Sequence, residues 1–140
     1  MVTPRGSRLS DPDEPLYRQV HPAFVHDGRI SSQAFRPTRK DEGLLSVARG
    51  ALTTPEEAYR RHTQRRGLPS RGVARVAVGT CEAVQLGVWA DPETEPVEDP
   101  AHAVIDFRGL SSKEVERRAD RLAAAAREAG GSIYEPKPAG

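Results

Sequence analysis

Residues Leu16 to Val47 read LYRQVHPAFVHDGRISSQAFRPTRKDEGLLSV, and their punctuation decides the fold class. Short apolar runs alternate here with turn formers. Leu16 to Val20 reads as a short strand, stopped at His21-Pro22 because proline lacks the ladder donor. Asp27-Gly28 is a turn signal, since glycine takes a positive φ without a Cβ clash. Ile30 to Phe35 reads as a second strand, ended by Arg36-Pro37. Lys40 to Gly43 is a polar turn, and Leu44 to Ala48 is a third strand. The same stretch holds Tyr17, Arg18, His21, His26, Asp27, Arg29, Ser31, Ser32, Arg36 and Asp41, a dense set of side chains with acid–base and anion-binding chemistry.

Outward from this stretch the chain reads as scaffold. Thr54-Pro55-Glu56-Glu57 opens a helix: Thr54 caps, Pro55 suits the first turn, and Glu57 completes a capping box. That helix is expected to reach Arg66, with Gly67 past its end. Gly72 to Val78 is valine-rich and reads as a central strand. Thr80 is placed to cap a two-turn helix through Leu86, and Val88 to Ala90 is a further strand. Ala101 to Phe107 alternates as a half-buried strand. Ser111 to Glu114 forms a second capping box, followed by small and apolar residues at helical spacing from Val115 to Ala129. Strands interrupted by helices without regular βαβ alternation predict one α+β domain with a mixed or mainly antiparallel sheet covered by two main helices. Residues 1–15 have almost nothing to bury and are expected to form a disordered arm. The domain is expected to span 16–134, with a frayed tail at 135–140.

Composition removes several function classes. The 140 residues carry a net charge of +1, so no global field draws the chain to nucleic acid or membrane. Mean hydropathy is −0.62, and no run approaches a membrane span. The N-terminal stretch MVTPRGSRLSDPDEP has no apolar signal region, so a cytoplasmic protein is expected. Cys81 is the sole cysteine, which excludes an internal disulfide and a cysteine-based zinc site. A metal site from His21, His26, Asp27 and His102 has no supporting spacing, and no metal is expected.

His102 is the most promising single residue, on a strand beside an apolar face, where imidazole acts as acid or base near neutrality. Arg18 stands mid-strand among apolar residues and needs a carboxylate or an anionic ligand. Ser31 and Ser32 beside Arg29 and Arg36 suit phosphate, with His21 nearby, although no glycine-rich phosphate loop is present. Arg60, Arg61, Arg65 and Arg66 form a basic helical patch that suits a nucleic-acid backbone.

The Leu16–Val47 stretch, PEEAY at Pro55 to Tyr59 and HAVIDF at His102 to Phe107 resemble a family of small uncharacterised bacterial proteins over Leu16 to Gly130. That resemblance implies no activity. Tyr17-Arg18 on an early strand and Ser31-Ser32 on a later one also resemble ADP-ribosyltransferase-like proteins. That resemblance implies an arginine on the first strand, a serine on the second and a late acidic residue, for which Glu98 is the nearest candidate.

Three functions are therefore expected in order. The first is an accessory protein that recruits a protein partner through residues 16–47. The second is a small enzyme acting on a phosphate-containing ligand such as NAD or a nucleotide, with His102, Arg18 and Ser32 catalytic and Arg18, His21, Arg29, Ser31, Ser32 and Arg36 binding. The third is nucleic-acid binding through the arginine-rich helix. No cofactor is expected outside the enzyme reading.

Overall fold

The computed structural model describes residues 3–136. Its centre is a six-stranded sheet in which every pairing is antiparallel. The elements in chain order are β1 (Pro15–Val20), a two-residue hairpin of β2 (Val25–His26) and β3 (Arg29–Ile30), β4 (Leu44–Arg49), α1 (Pro55–Arg60), β5 (Gly72–Ala77), α2 (Val78–Ala83), β6 (Val88–Ala90), β7 (His102–Asp106), α3 (Ser112–Glu128) and β8 (Ser132–Tyr134). The large sheet runs β6-β7-β4-β1-β5-β8. The chain is thus a single α+β domain, and no helix among the described residues is long and apolar enough to cross a membrane.

Period-two alternation gives the sheet two unlike faces. Leu16, Val20, Leu45, Val47, Ala74, Val76, Ala103 and Ile105 share one face and pack beneath Ala119, Leu122, Ala123 and Ala126 of α3. Tyr17, Gln19, Ser46, Ala48 and His102 share the other, which α1 covers in part through Ala58. Thr54 and Ser111 cap as read, Thr54 Oγ1 accepting from Glu57 N and Ser111 Oγ from Glu114 N, both at 3.2 Å. Among the described residues the expected return bonds that would complete the capping boxes are not formed; the Glu114 carboxylate accepts from Arg117 and Arg118 instead. Asp27 and Gly28 turn the β2–β3 hairpin with positive φ values of 52° and 77°.

Four expectations need correction. The arm over 1–15 is ordered from Arg5 onward rather than disordered; Met1 and Val2 lie outside the described residues. β6 is an edge strand, and the arm pairs along it, with Gly6 N donating to Ala90 O and Leu9 N donating to Val88 O. A Cβ on Gly6 would lie 2.8 Å from Ala90 Cβ, so glycine permits this approach. Backbone pairing, with Leu9 as a single buried anchor, orders a segment whose side chains offer little to bury. Glu14 is also held, in a forked pair with Arg49 at 2.9 and 3.0 Å. Next, Ile30 to Phe35 is not a strand. Only Ile30 pairs, and Ser32–Phe35 form a 3₁₀ turn that buries Ala34 and Phe35. Arginines from other elements take the exposed carbonyls: Arg127 Nη1 donates to Ile30 O and Arg18 Nε to Ala34 O, both at 2.7 Å. Third, the helix to Arg66 changes form after Arg60, where Arg61–Arg65 make a wider π turn. Fourth, the short helix near Cys81 is Val78–Ala83, starting ahead of Thr80 and without a side-chain cap. Of the tail, Glu135 reaches Arg71 at 3.8 Å, and 137–140 lie outside the described residues.

Candidate functional site

Ser46 is the exposed residue of a strand whose neighbours Leu45 and Val47 are buried. Cross-strand register sets what stands beside it. Ala48 opposes His102 and Ser46 opposes Val104, so His102 is the diagonal neighbour of Ser46 on the same face. The imidazole bridges the gap, with Nε2 at 3.0 Å from Ser46 Oγ.

Behind His102 stands Asp91, at the end of β6. Its backbone N donates to His102 O at 2.9 Å, which draws the two residues together. His102 Nδ1 then lies 2.8 Å from Asp91 O and 3.2 Å from Asp91 Oδ2. Both neighbours are acceptors, so Nδ1 carries the proton. In the neutral ring this leaves the lone pair on Nε2, placed to accept from the Ser46 hydroxyl. Asp91 is fixed in turn by the arm: Arg5 backbone N and Nη1 both donate to its Oδ1, at 2.9 and 3.1 Å. The His102 and Asp91 side chains are each only 12% exposed.

Ser46 and His102 open into a pocket of about 190 Å³. Tyr17, Gln19 and Ala48 form its floor, and Ala58 and Leu68 its apolar wall. The π turn supplies Arg61 and His62 and delivers Arg66 to the same rim. π turns recur at functional sites because the extra residue re-aims the side chains that follow. Facing them, the acidic loop pairs Glu93 with Asp99 through both backbone bonds. Arg66 Nη2 donates to Glu93 Oε1 at 2.8 Å. Arg61 Nη1 lies 3.4 Å from Asp99 Oδ1 without hydrogen-bond geometry, so Arg61 Nε and Asp99 Oδ1 are buried with no hydrogen-bond partner. Burial holds the His62 imidazole below the usual histidine range, and Arg18 and Arg66 push it the same way; a contact of its Nε2 with Pro69 O at 3.3 Å opposes them.

Arg18 sits where the sheet splits. The β1–β4 ladder pairs Leu16 with Arg49 and Tyr17 with Ala48, and then ends. The guanidinium lies in the gap, donating to Ala34 O and, from Nη1 at 2.9 Å, to Ser46 O. It also lines the pocket. Among the described residues no carboxylate is in contact with it; Asp41 acts only at a distance.

The sequence-derived set therefore divides. Arg18 and His102 converge. Arg29 is exposed at the hairpin turn, and His21 caps a short turn, its Nδ1 accepting from Ala23 N. Ser32 Oγ accepts from Arg36 Nη2 at 2.8 Å, and Arg36 reaches Glu116, lining a separate recess beside Arg108. Ser31 Oγ is buried without a hydrogen-bond partner. Neither serine is on a strand, unlike the ADP-ribosyltransferase pattern. Among the arginines read as a nucleic-acid patch, Arg60 pairs with Glu56, Arg61 and Arg66 turn into the pocket, and Arg65 is exposed. The residues 16–47 do not make one polar face, since Tyr17, Arg18, Gln19 and Ser46 enter the pocket while His26, Asp27 and Arg29 point to solvent at the hairpin.

Among the described residues, Asp91, Glu93 and His102 bring three ligand-type atoms within 4.8 Å of one another. Arg5 and Arg66 already compensate those two carboxylates, which opposes a divalent cation there. Of the sequence-derived metal set, His102 belongs to this group, whereas His21, His26 and Asp27 do not. Cys81 is fully buried, and burial pushes its thiol up to about 12, consistent with a core residue.

Ser46, Asp91 and His62 escaped the sequence reading. The only signal for Ser46 was one polar residue in an apolar strand, and its partner lies 56 residues away. No family model, curated protein or solved structure matches the chain.

Proposed function

We propose that this protein is a small enzyme that uses Ser46 as a nucleophile in hydrolysis or transfer of an acyl group. The carrying observation is the Ser46–His102–Asp91 relay opening into a pocket, with the imidazole tautomer set by its surroundings. In this reading His102 Nε2 takes the Ser46 hydroxyl proton as Oγ attacks the substrate carbonyl carbon. The tetrahedral adduct collapses, and the leaving group departs with the proton from His102. Water then gives a proton to His102 and attacks the acyl-enzyme, and Ser46 leaves with that proton. Asp91 stabilises the imidazolium that forms in each half. The hydrogen bond between Nδ1 and Asp91 O keeps the ring oriented throughout, with the Asp91 carboxylate 3.2 Å from the same nitrogen.

The pocket volume bears on the substrate. Pockets for drug-sized ligands span about 300–1,000 Å³, so a site of about 190 Å³ takes a small molecule or the end of a larger one. A whole dinucleotide does not fit inside it.

The test is labelling with a fluorophosphonate, in which Oγ bonds phosphorus, fluoride leaves and His102 takes the proton. Wild type should be modified at Ser46 and Ser46→Ala should not. His102→Ala should slow labelling by about 10²–10⁴-fold, the usual worth of a general base. A wild-type protein left unlabelled would refute the nucleophile and return the field to the partner-binding reading.

A further inference from the structure

We infer that the pocket binds the anionic group of its substrate, a carboxylate or phosphate, on Arg18 beside Ser46. As a statement about substrate, this rests on the Ser46 reading; as a statement about binding, it stands on the pocket itself. Three guanidiniums line the pocket, from Arg18, Arg61 and Arg66, against two carboxylates, from Glu93 and Asp99. Asp91, next door, is compensated by Arg5. Arg61 and Arg66 are matched to Asp99 and Glu93. One positive charge is left over, and it belongs to Arg18, which has no ion pair among the described residues.

The bonds of Arg18 sharpen this. A guanidinium carries five N–H donors in a planar fork. Nε and one donor of Nη1 serve backbone carbonyls, so both bonds orient the group and neither neutralises it. Among the described residues, the remaining donors on Nη1 and Nη2 have no protein partner. Arginine is rarely enclosed without an anionic partner, because desolvating a lone charge is costly. Burial draws its pKa down to about 10, against the weaker pull of Asp41, so the group remains cationic at neutral pH. The bond to the carbonyl of Ser46 itself ties the cation to the residue that carries the nucleophile. Oxygens of a carboxylate or phosphate on the fork would therefore hold a substrate by an end close to the reacting atom, and the small pocket suits a short spacer between the two.

The experiment uses Ser46→Ala, which has no nucleophile, titrated with acetate and with inorganic phosphate at constant ionic strength. Binding is read as a ligand-dependent rise in melting temperature and by calorimetry. At least one anion should bind, and the one that binds names the preferred group. Adding Arg18→Gln should weaken that binding at least tenfold, a loss expected for charge-assisted bonds. Should Arg18→Gln fail to fold, Arg18→Lys serves instead: it keeps the charge without the fork, and binding should fall while remaining measurable. The inference is overturned if neither anion binds, or if either Arg18 variant binds as well as its parent. Because Ser46 is absent from this assay, its outcome is separate from that of the labelling test. Labelling without anion binding would leave a nucleophile with an uncharged substrate. Anion binding without labelling would leave a binding pocket that performs no serine chemistry.

Discussion

The two faces of one sheet differ in almost every physical respect. On the α3 side, alternate residues of four adjacent strands meet a 17-residue helix that spans about 25 Å at 1.5 Å per residue. That face is apolar, closely filled and held by burial. On the other side α1 is only six residues long and covers part of the sheet. The remainder is lined by Ser46, His102, Arg18, Arg61, His62, Arg66, Glu93 and Asp99, with Arg61 Nε and Asp99 Oδ1 buried and lacking a hydrogen-bond partner. The lesson is that one sheet serves as both a core and a site, because a short helix leaves a concave gap that a long one would close.

The largest expected effect tests the core side. Leu122 is fully buried under the sheet, so Leu122→Ala should cost about 2–5 kcal/mol through lost transfer energy and the cavity left behind. Chemical denaturation measures it. Labelling of Ser46 per folded molecule should be unchanged. Ser46→Ala, at an exposed position, should shift stability by no more than about 0.5 kcal/mol. If the two substitutions had equal effects on stability, the contrast between the faces would be lost.

A smaller effect tests how the imidazole is held. Asp91→Asn removes the carboxylate charge but keeps the backbone oxygen 2.8 Å from Nδ1. Labelling should slow by about tenfold, the equivalent of about 1.4 kcal/mol, and by less than in His102→Ala. A loss as large as that of His102→Ala would show that the carboxylate, rather than the backbone, governs the tautomer.

The smallest effect is a pH slope. His62 has a folded-state pKa held below 6.5 by burial. As pH falls through the histidine range the unfolded chain takes up this proton first, so stability drops. The loss sets in near 6.5 and is complete below the folded value. His62→Gln should flatten that part of the stability profile, read from denaturation midpoints across the range. An unchanged slope would place the acid sensitivity elsewhere.

Local chemistry was legible in the chain. Thr54 and Ser111 cap the helices that follow them, Asp27-Gly28 turns a hairpin, and strands form over 16–20, 44–48, 72–77 and 102–106. These depend on interactions within a few residues, which composition and spacing record. His102 and Arg18 were also legible, one by its titration range and one as a charge in an apolar run. What they do was not. Their partners, Ser46, Asp91 and Ala34, come from other strands and turns, set by antiparallel register and the order β6-β7-β4-β1. The ordering of residues 5–14 was hidden for the same reason: residues 6–9 depend on the open edge of β6, about eighty residues downstream, and Pro12 and Glu14 on the backbone of Gly79 and Val78. By itself the sequence determined most of the strands and the N-terminal caps of α1 and α3. Only the tertiary structure decided which polar groups meet, because a one-residue change of register would turn Ser46 to the opposite face and dissolve the site without altering any local signal.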